Sequence, residues 1–232
     1  MSEQLVLDLP HRPALGADDF LVSSCNAGAV DLIDAWPVWS SHVQLIEGPA
    51  GCGKSHLANV WRHKTGAEIA DVQQLSAPGV TEFEFDKGVI LEDLDRTEFD
   101  ENSLFHLLNM SRQHGFCVLA TARVPPGRWN IQLPDLISRL RALPVSTIGS
   151  PDDALLGAVL LKHFSDRQLN VDPQVLSFLT KRMIRSMEAA RALVAAIDKA
   201  ALATGKKITR QFAGEVLEQV QSDEYSPPDQ HS

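Results

Sequence analysis

The sequence predicts an α/β protein: a parallel β-sheet with helices on both faces, followed by a small all-α domain. Three observations carry this expectation. Gly48 to Ser55 read GPAGCGKS, an uninterrupted G-x-x-x-x-G-K-[ST] phosphate-binding loop. It stands between a strand-like HVQLI and a helix-like HLANVWR, the context that gives such a motif its meaning. Two further apolar runs, over residues 89–91 and 116–121, read as buried strands, and a helical pattern over 101–114 separates them. After Ser150 only helical periodicity remains.

Taken in order, residues 1–14 mix prolines with alternating leucines and are expected to be flexible. Residues 25–36 have helical spacing and stop before Pro37. The phosphate loop follows, then a short strand over 67–70. The helix over 101–114 carries Leu104, Leu107, Leu108 and Met110. Ser150-Pro151-Asp152-Asp153 reads as a helix start, with a capping hydroxyl, a first-turn proline and acids at the positive end of the dipole. Further helices are expected over 154–164, 173–183, 187–204 and 209–220, the last capped by Thr209. The domain boundary falls near Gly149. The expected division is a 15–149 nucleotide-binding core, a 150–220 helical lid and a polar, disordered 221–232 tail. No internal repeat is found.

Bulk properties narrow the function. The 232 residues carry 30 acids against 21 bases, a net charge of −9, which disfavours nucleic acid as the main direct ligand. A hydrophobic share of 44% without any membrane-length apolar run predicts a soluble chain. The N-terminus lacks the basic region of a secretory signal, so a cytoplasmic location is expected. Cys25, Cys52 and Cys117 form no C-x-x-C pair and read as reduced thiols.

The chemistry of a nucleotide site explains the spacing. Gly48, Gly51 and Gly53 let the backbone curl until its N–H groups face an anion. With Cys52 and His56 they make up the loop and its helical exit, whose first-turn N–H groups face the same phosphates. Lys54 is placed for the terminal phosphates and Ser55 for Mg²⁺. The strand ending in Glu92-Asp93 adds paired acids: one carboxylate for the Mg²⁺ shell, the other to polarise the attacking water. Thr121 ends the next strand, where a hydroxyl can touch phosphate or water. Arg139, within LPDLISRL, reads on spacing alone as a surface arginine.

With these pieces in order, the chain resembles AAA+ ATPases of the DnaA type, and among these the Hda group, regulatory inactivators of the replication initiator DnaA. GKSHL, from Gly53 to Leu57, is similar to the DnaA loop. DDFLVSSCNAGAVDLI, from Asp18 to Ile33, resembles the adenine-binding segment, which assigns Phe20, Val22 and Asn26 to the cofactor. VLATARVPP, from Val118 to Pro126, resembles the sensor strand. LPDLISRL resembles the arginine-finger box and puts Arg139 at the finger. ATGKKITRQFAGEVL, from Ala203 to Leu217, resembles the end of the lid. QLVLDLP resembles a sliding-clamp-binding motif through Gln4, Leu5, Leu7 and Leu9, an extended segment able to fill apolar pockets.

The sequence departs from that pattern at three places. Glu92 stands where aspartate is usual, Arg123 where an acid is common, and alanine (Ala195 or Ala196) where a lid arginine senses phosphate. Arg191 or Arg185 would serve only in a shifted register. The resemblance implies a protein that binds ADP or ATP with Mg²⁺ and docks on the DNA polymerase III sliding clamp. DNA is then reached only through the clamp. Such a protein supplies Arg139 in trans to DnaA-bound ATP, and a homo-oligomer is compatible with it. Weak intrinsic ATPase activity is also compatible. Three alternatives stay open: a self-contained helicase-loader-type ATPase, a small-molecule kinase, and a clamp-binding adaptor whose nucleotide is structural.

Overall fold

The computed structural model describes residues 21–75 and 87–225. Gln4, Leu5, Leu7, Leu9 and Phe20 lie outside these residues, as do 226–232. The chain divides into two compact units at Ser150/Pro151.

The first unit is built on five parallel strands: β1 (Val43–Glu47), β2 (Glu68–Ala70), β3 (Val89–Leu91), β4 (Val118–Ala122) and β5 (Val145–Thr147). Their order across the sheet is β2-β3-β4-β1-β5. The register sets Leu45 beside Ala120 and Ala120 beside Leu91. Alternation along the strands divides the core between two faces. Leu45, Leu91 and Ala120 face one side, with α3 (Glu101–His114) and α4 (Pro134–Arg141). Ile46, Ile90 and Leu119 face the other, with α1 (Ala27–Asp34) and α2 (Lys54–Thr65). Trp61 of α2 is fully buried there and stacks on Trp39 with ring centroids 5.0 Å apart.

The second unit is helical: α5 (Asp153–Asp166), α6 (Pro173–Thr180), α7 (Met187–Thr204) and α8 (Arg210–Tyr225). Its own core includes Leu156, Leu160, Phe164, Leu193, Val194, Ile197 and Leu217. Side-chain caps start most of these helices: Asp152 accepts from the Leu155 N–H, Asp172 from Gln174, and Ser186 from Ala189. Thr209 Oγ1 accepts from the Phe212 N–H at 3.2 Å, the capping contact expected of it.

Several boundaries differ from the sequence reading. The helix expected over 25–36 is confined to Ala27–Asp34, because Asn26 is used in a turn before it. Asp152, not Ser150, caps α5, so Pro151 precedes the helix instead of occupying its first turn. The helix expected to reach Met183 ends at Thr180. The stretch expected as a disordered tail from 221 continues α8 to Tyr225. Strand β5 was not anticipated. It has only three residues, Val145 is 42% exposed, and no apolar run announces it. No helix among the described residues is long and apolar enough to cross a membrane.

His163 of α5 makes the helical unit sensitive to pH. Burial, reinforced by the Arg167 charge, holds its imidazole below the ordinary value. The unfolded chain titrates near about 6.5, so below that pH it binds more protons than the folded unit. The stabilisation is therefore complete above about pH 6.5 and declines as pH falls from there towards the folded value. Thermal melts between about pH 5 and 8 should show this decline in the wild type, and His163→Gln should flatten it.

Candidate nucleotide-binding site

The site is built at the carboxyl edge of the parallel sheet, the usual place for a ligand in such a fold. β1 ends at Glu47, and the loop returns into α2 at Lys54. Gly51 and Gly53 hold φ of 66° and 108°, a left-handed conformation open to glycine. Gly48 is needed for a different reason. A Cβ there would lie 2.6 Å from the Ile148 carbonyl oxygen and 2.8 Å from Cys52 Sγ. Only glycine lets the loop approach the exit of β5 this closely.

Lys54 is 6% exposed and donates to the carbonyls of Gly48 at 2.8 Å and Pro49 at 2.9 Å. The loop thus holds a buried ammonium at its centre. Cys52 is buried beside it, with Sγ 4.0 Å from Lys54 Nζ. Burial pushes the Cys52 thiol up and the Lys54 charge only partly opposes this, so the thiol stays protonated near neutrality. Ser55 is exposed at the start of α2, and His56 is half-buried next to it.

The register brings the neighbouring strands to the same edge. Thr121 of β4 pairs with Ile46, one residue before the end of β1. Thr121 is 1% exposed, and its Oγ1 accepts the Asp93 N–H at 3.0 Å. Its carbonyl accepts from Leu94 at 3.0 Å. Thr121 therefore fixes the turn after β3, a positioning role that sequence reasoning had not given it. That turn puts Asp93 at φ 50°, which aspartate tolerates better than most residues. The Asp93 carboxylate lies 3.9 Å from the Arg123 guanidinium, and Asp95 accepts the Arg123 backbone N–H at 3.0 Å. These contacts join the strand of paired acids to the exit of β4. Nothing in the sequence spacing pointed to them.

Glu92 is different. Its Oε1 is buried and has no hydrogen-bond partner among the described residues. An unpaired buried carboxylate oxygen is costly, and a divalent cation or its water would satisfy it. With the glycine cradle and the Lys54 ammonium, the residues present fit a nucleotide phosphate chain with Mg²⁺. Lys54 and the loop N–H groups would hold phosphate, and Ser55 and Glu92 the metal. The metal would supply charge neutralisation on the phosphate oxygens.

The remaining predicted residues separate into three groups. Val22 packs at the edge of the cluster around Ile46 and Trp61. Asn26 is 1% exposed with both ends of its amide committed: Nδ2 donates to the Leu21 carbonyl at 3.0 Å, and Oδ1 accepts the Ser23 N–H at 2.8 Å. It shapes the 21–26 turn, which joins the site through a Gly149 N–H donating to the Cys25 carbonyl at 2.8 Å. Arg191 is exposed on α7, and Arg185 is engaged by Asp153 and the Pro151 carbonyl within the helical unit. Ala195 is exposed and Ala196 half-buried on α7.

Arg139 is not at this edge. It lines a cleft with His42 and Val43, where β1 begins. Four residue steps along β1 are about 13 Å, so Arg139 and the phosphate loop lie at opposite ends of the sheet.

Residues 153–217 match the family model described as Hda, lid domain. The chain is also similar to domain III of the Thermotoga maritima replication initiation protein DnaA, with a TM-score of 0.70 at 16% identity, covering 86% of this chain and 94% of that one. AMPPCP-bound DnaA from Aquifex aeolicus aligns with a TM-score of 0.63 at 17% identity, covering 89% and 68%. The Thermotoga maritima RuvB branch migration motor aligns with a TM-score of 0.63 at 16% identity, covering 84% and 66%. At these identities the structures establish the fold. The lid match is the more specific finding: residues 153–217 resemble the lid domain of Hda.

Replacing Lys54 with alanine removes the charged donor of the loop. Titration with a fluorescent ADP analogue should show affinity reduced by about tenfold to a hundredfold, the worth of hydrogen bonds to a charged group.

Proposed function

We propose that this chain is a DnaA-related regulator of replication initiation that binds an adenine nucleotide and promotes hydrolysis of ATP held by DnaA. The observation that carries the reading is the Hda lid match over 153–217. The position of Arg139 supports the division of labour. An arginine at the far end of the sheet from its own phosphate loop is badly placed for its own nucleotide and well placed to face another subunit. In this reading the guanidinium enters the DnaA site and stabilises the charge that spreads over the γ-phosphate oxygens. The nucleotide bound here, ADP in the reading preferred, is a structural ligand.

The two acids divide accordingly. Glu92, with its unpaired oxygen, takes the Mg²⁺ role, while the Asp93 carboxylate faces Arg123. An Asp93 partly committed to a cation is a weaker activator of water, which fits slow intrinsic turnover. In the register preferred for the lid, α7 carries alanine (Ala195 or Ala196) where a sensor arginine would stand, which fits a nucleotide that is held and not turned over quickly. Gln4, Leu5, Leu7 and Leu9 form the proposed clamp-docking segment, which would concentrate the protein near DNA-loaded clamps and raise the effective concentration of Arg139.

The test is hydrolysis of DnaA-bound ATP in the presence of this protein and DNA-loaded clamp. Wild type should stimulate it. Arg139→Ala should lose about 10³-fold or more, the scale of a trans arginine, with nucleotide binding unchanged. Gln4→Ala should lose stimulation through weaker clamp retention. Wild-type activity in Arg139→Ala would leave a clamp-binding adaptor, and ATP turnover by this chain alone would indicate a self-contained ATPase.

A further inference from the structure

The cleft that contains Arg139 encloses about 760 Å³ between α3, α4 and the start of β1. A second arginine lines it: Arg112, exposed in the last turn of α3. Phe105, two turns earlier on α3, lies against Arg139 with the guanidinium carbon 5.1 Å from its ring centroid. That contact sets the position of the guanidinium without using its N–H groups. His42 and Ser138 add further polar groups to the wall.

Neither guanidinium has a hydrogen bond or an ion pair among the described residues. Asp135 lines the same cleft and pairs with neither. Two permanent cations with unused donors in one open cleft call for a ligand with several anionic oxygens. A terminal phosphate of ATP offers three oxygens at which two planar forks can converge. A single carboxylate offers two and is satisfied by one fork.

We propose that Arg112 is a second phosphate-contacting arginine, acting with Arg139 on the terminal phosphates of the ATP held by DnaA. The inference rests on the proposed function of Arg139. Arg112 binds the phosphate oxygens directly, and Phe105 holds Arg139 in the same cleft.

The test measures the maximal rate of DnaA-bound ATP hydrolysis at saturating protein, with DNA-loaded clamp, for wild type, Arg112→Ala, Arg112→Lys and Arg139→Ala. Clamp retention, affinity for a fluorescent ADP analogue and melting temperature are measured alongside. Arg112→Ala should be slower by about tenfold to a hundredfold, with clamp retention and nucleotide affinity unchanged and the protein still folded at the assay temperature. Arg112→Lys keeps the favourable charge at the end of α3 but loses the fork, so it should recover only part of the rate. A wild-type rate in Arg112→Ala, with Arg139→Ala inactive, would overturn this inference and leave the proposed function standing. A change in half-saturation alone would also overturn it, because Arg112 would then bind an acidic surface of the partner. A wild-type rate in Arg139→Ala would overturn the proposed function itself.

Discussion

The buried ammonium of Lys54 organises the nucleotide edge of this molecule. A charge taken out of water is tolerated only when its donors are satisfied, and here the loop carbonyls of Gly48 and Pro49 do so. The loop can close around the ammonium because Gly48 has no Cβ to strike Ile148 and because Gly51 and Gly53 take left-handed conformations. A phosphate offers the same ammonium charged acceptors, which bind it more strongly than neutral carbonyls.

The parallel register extends this organisation sideways. Because β1, β4 and β3 run in the same direction side by side, the phosphate loop, Thr121 and Glu92 reach one edge together. The same register sends the starts of the strands, and with them Arg139, to the opposite edge. That separation supports the proposed function, in which one end of the sheet holds a nucleotide and the other presents a cation to a nucleotide held elsewhere.

The parts of the fold legible in the sequence were those with strong local signals. Val89 to Leu91 and Val118 to Ala122 are short, wholly buried runs, and a continuous apolar segment between turn signals reads as a central strand. The phosphate loop was legible because its chemistry demands a fixed spacing. β5 escaped because an edge strand of three residues with an exposed valine has no periodicity to find. Within the site, the structural duties of Asn26 and Thr121 depend on partners such as Leu21 and Asp93 that only the folded chain supplies. The close approach of Gly48 to Ile148 brings together residues a hundred positions apart. Arg139 shows the same limit: spacing makes it one arginine among many, and only resemblance singled it out.

The central claim is that this chain holds one nucleotide and drives hydrolysis of another. It is tested most directly by asking whose ATP is hydrolysed. Radiolabelled ATP is loaded on DnaA alone in one reaction and on this protein alone in another, each mixed with its unlabelled partner and DNA-loaded clamp for a single turnover. The account predicts rapid conversion of label carried by DnaA and slow conversion of label carried by this protein. Rapid conversion of label carried by this protein, with that on DnaA unchanged, would contradict it.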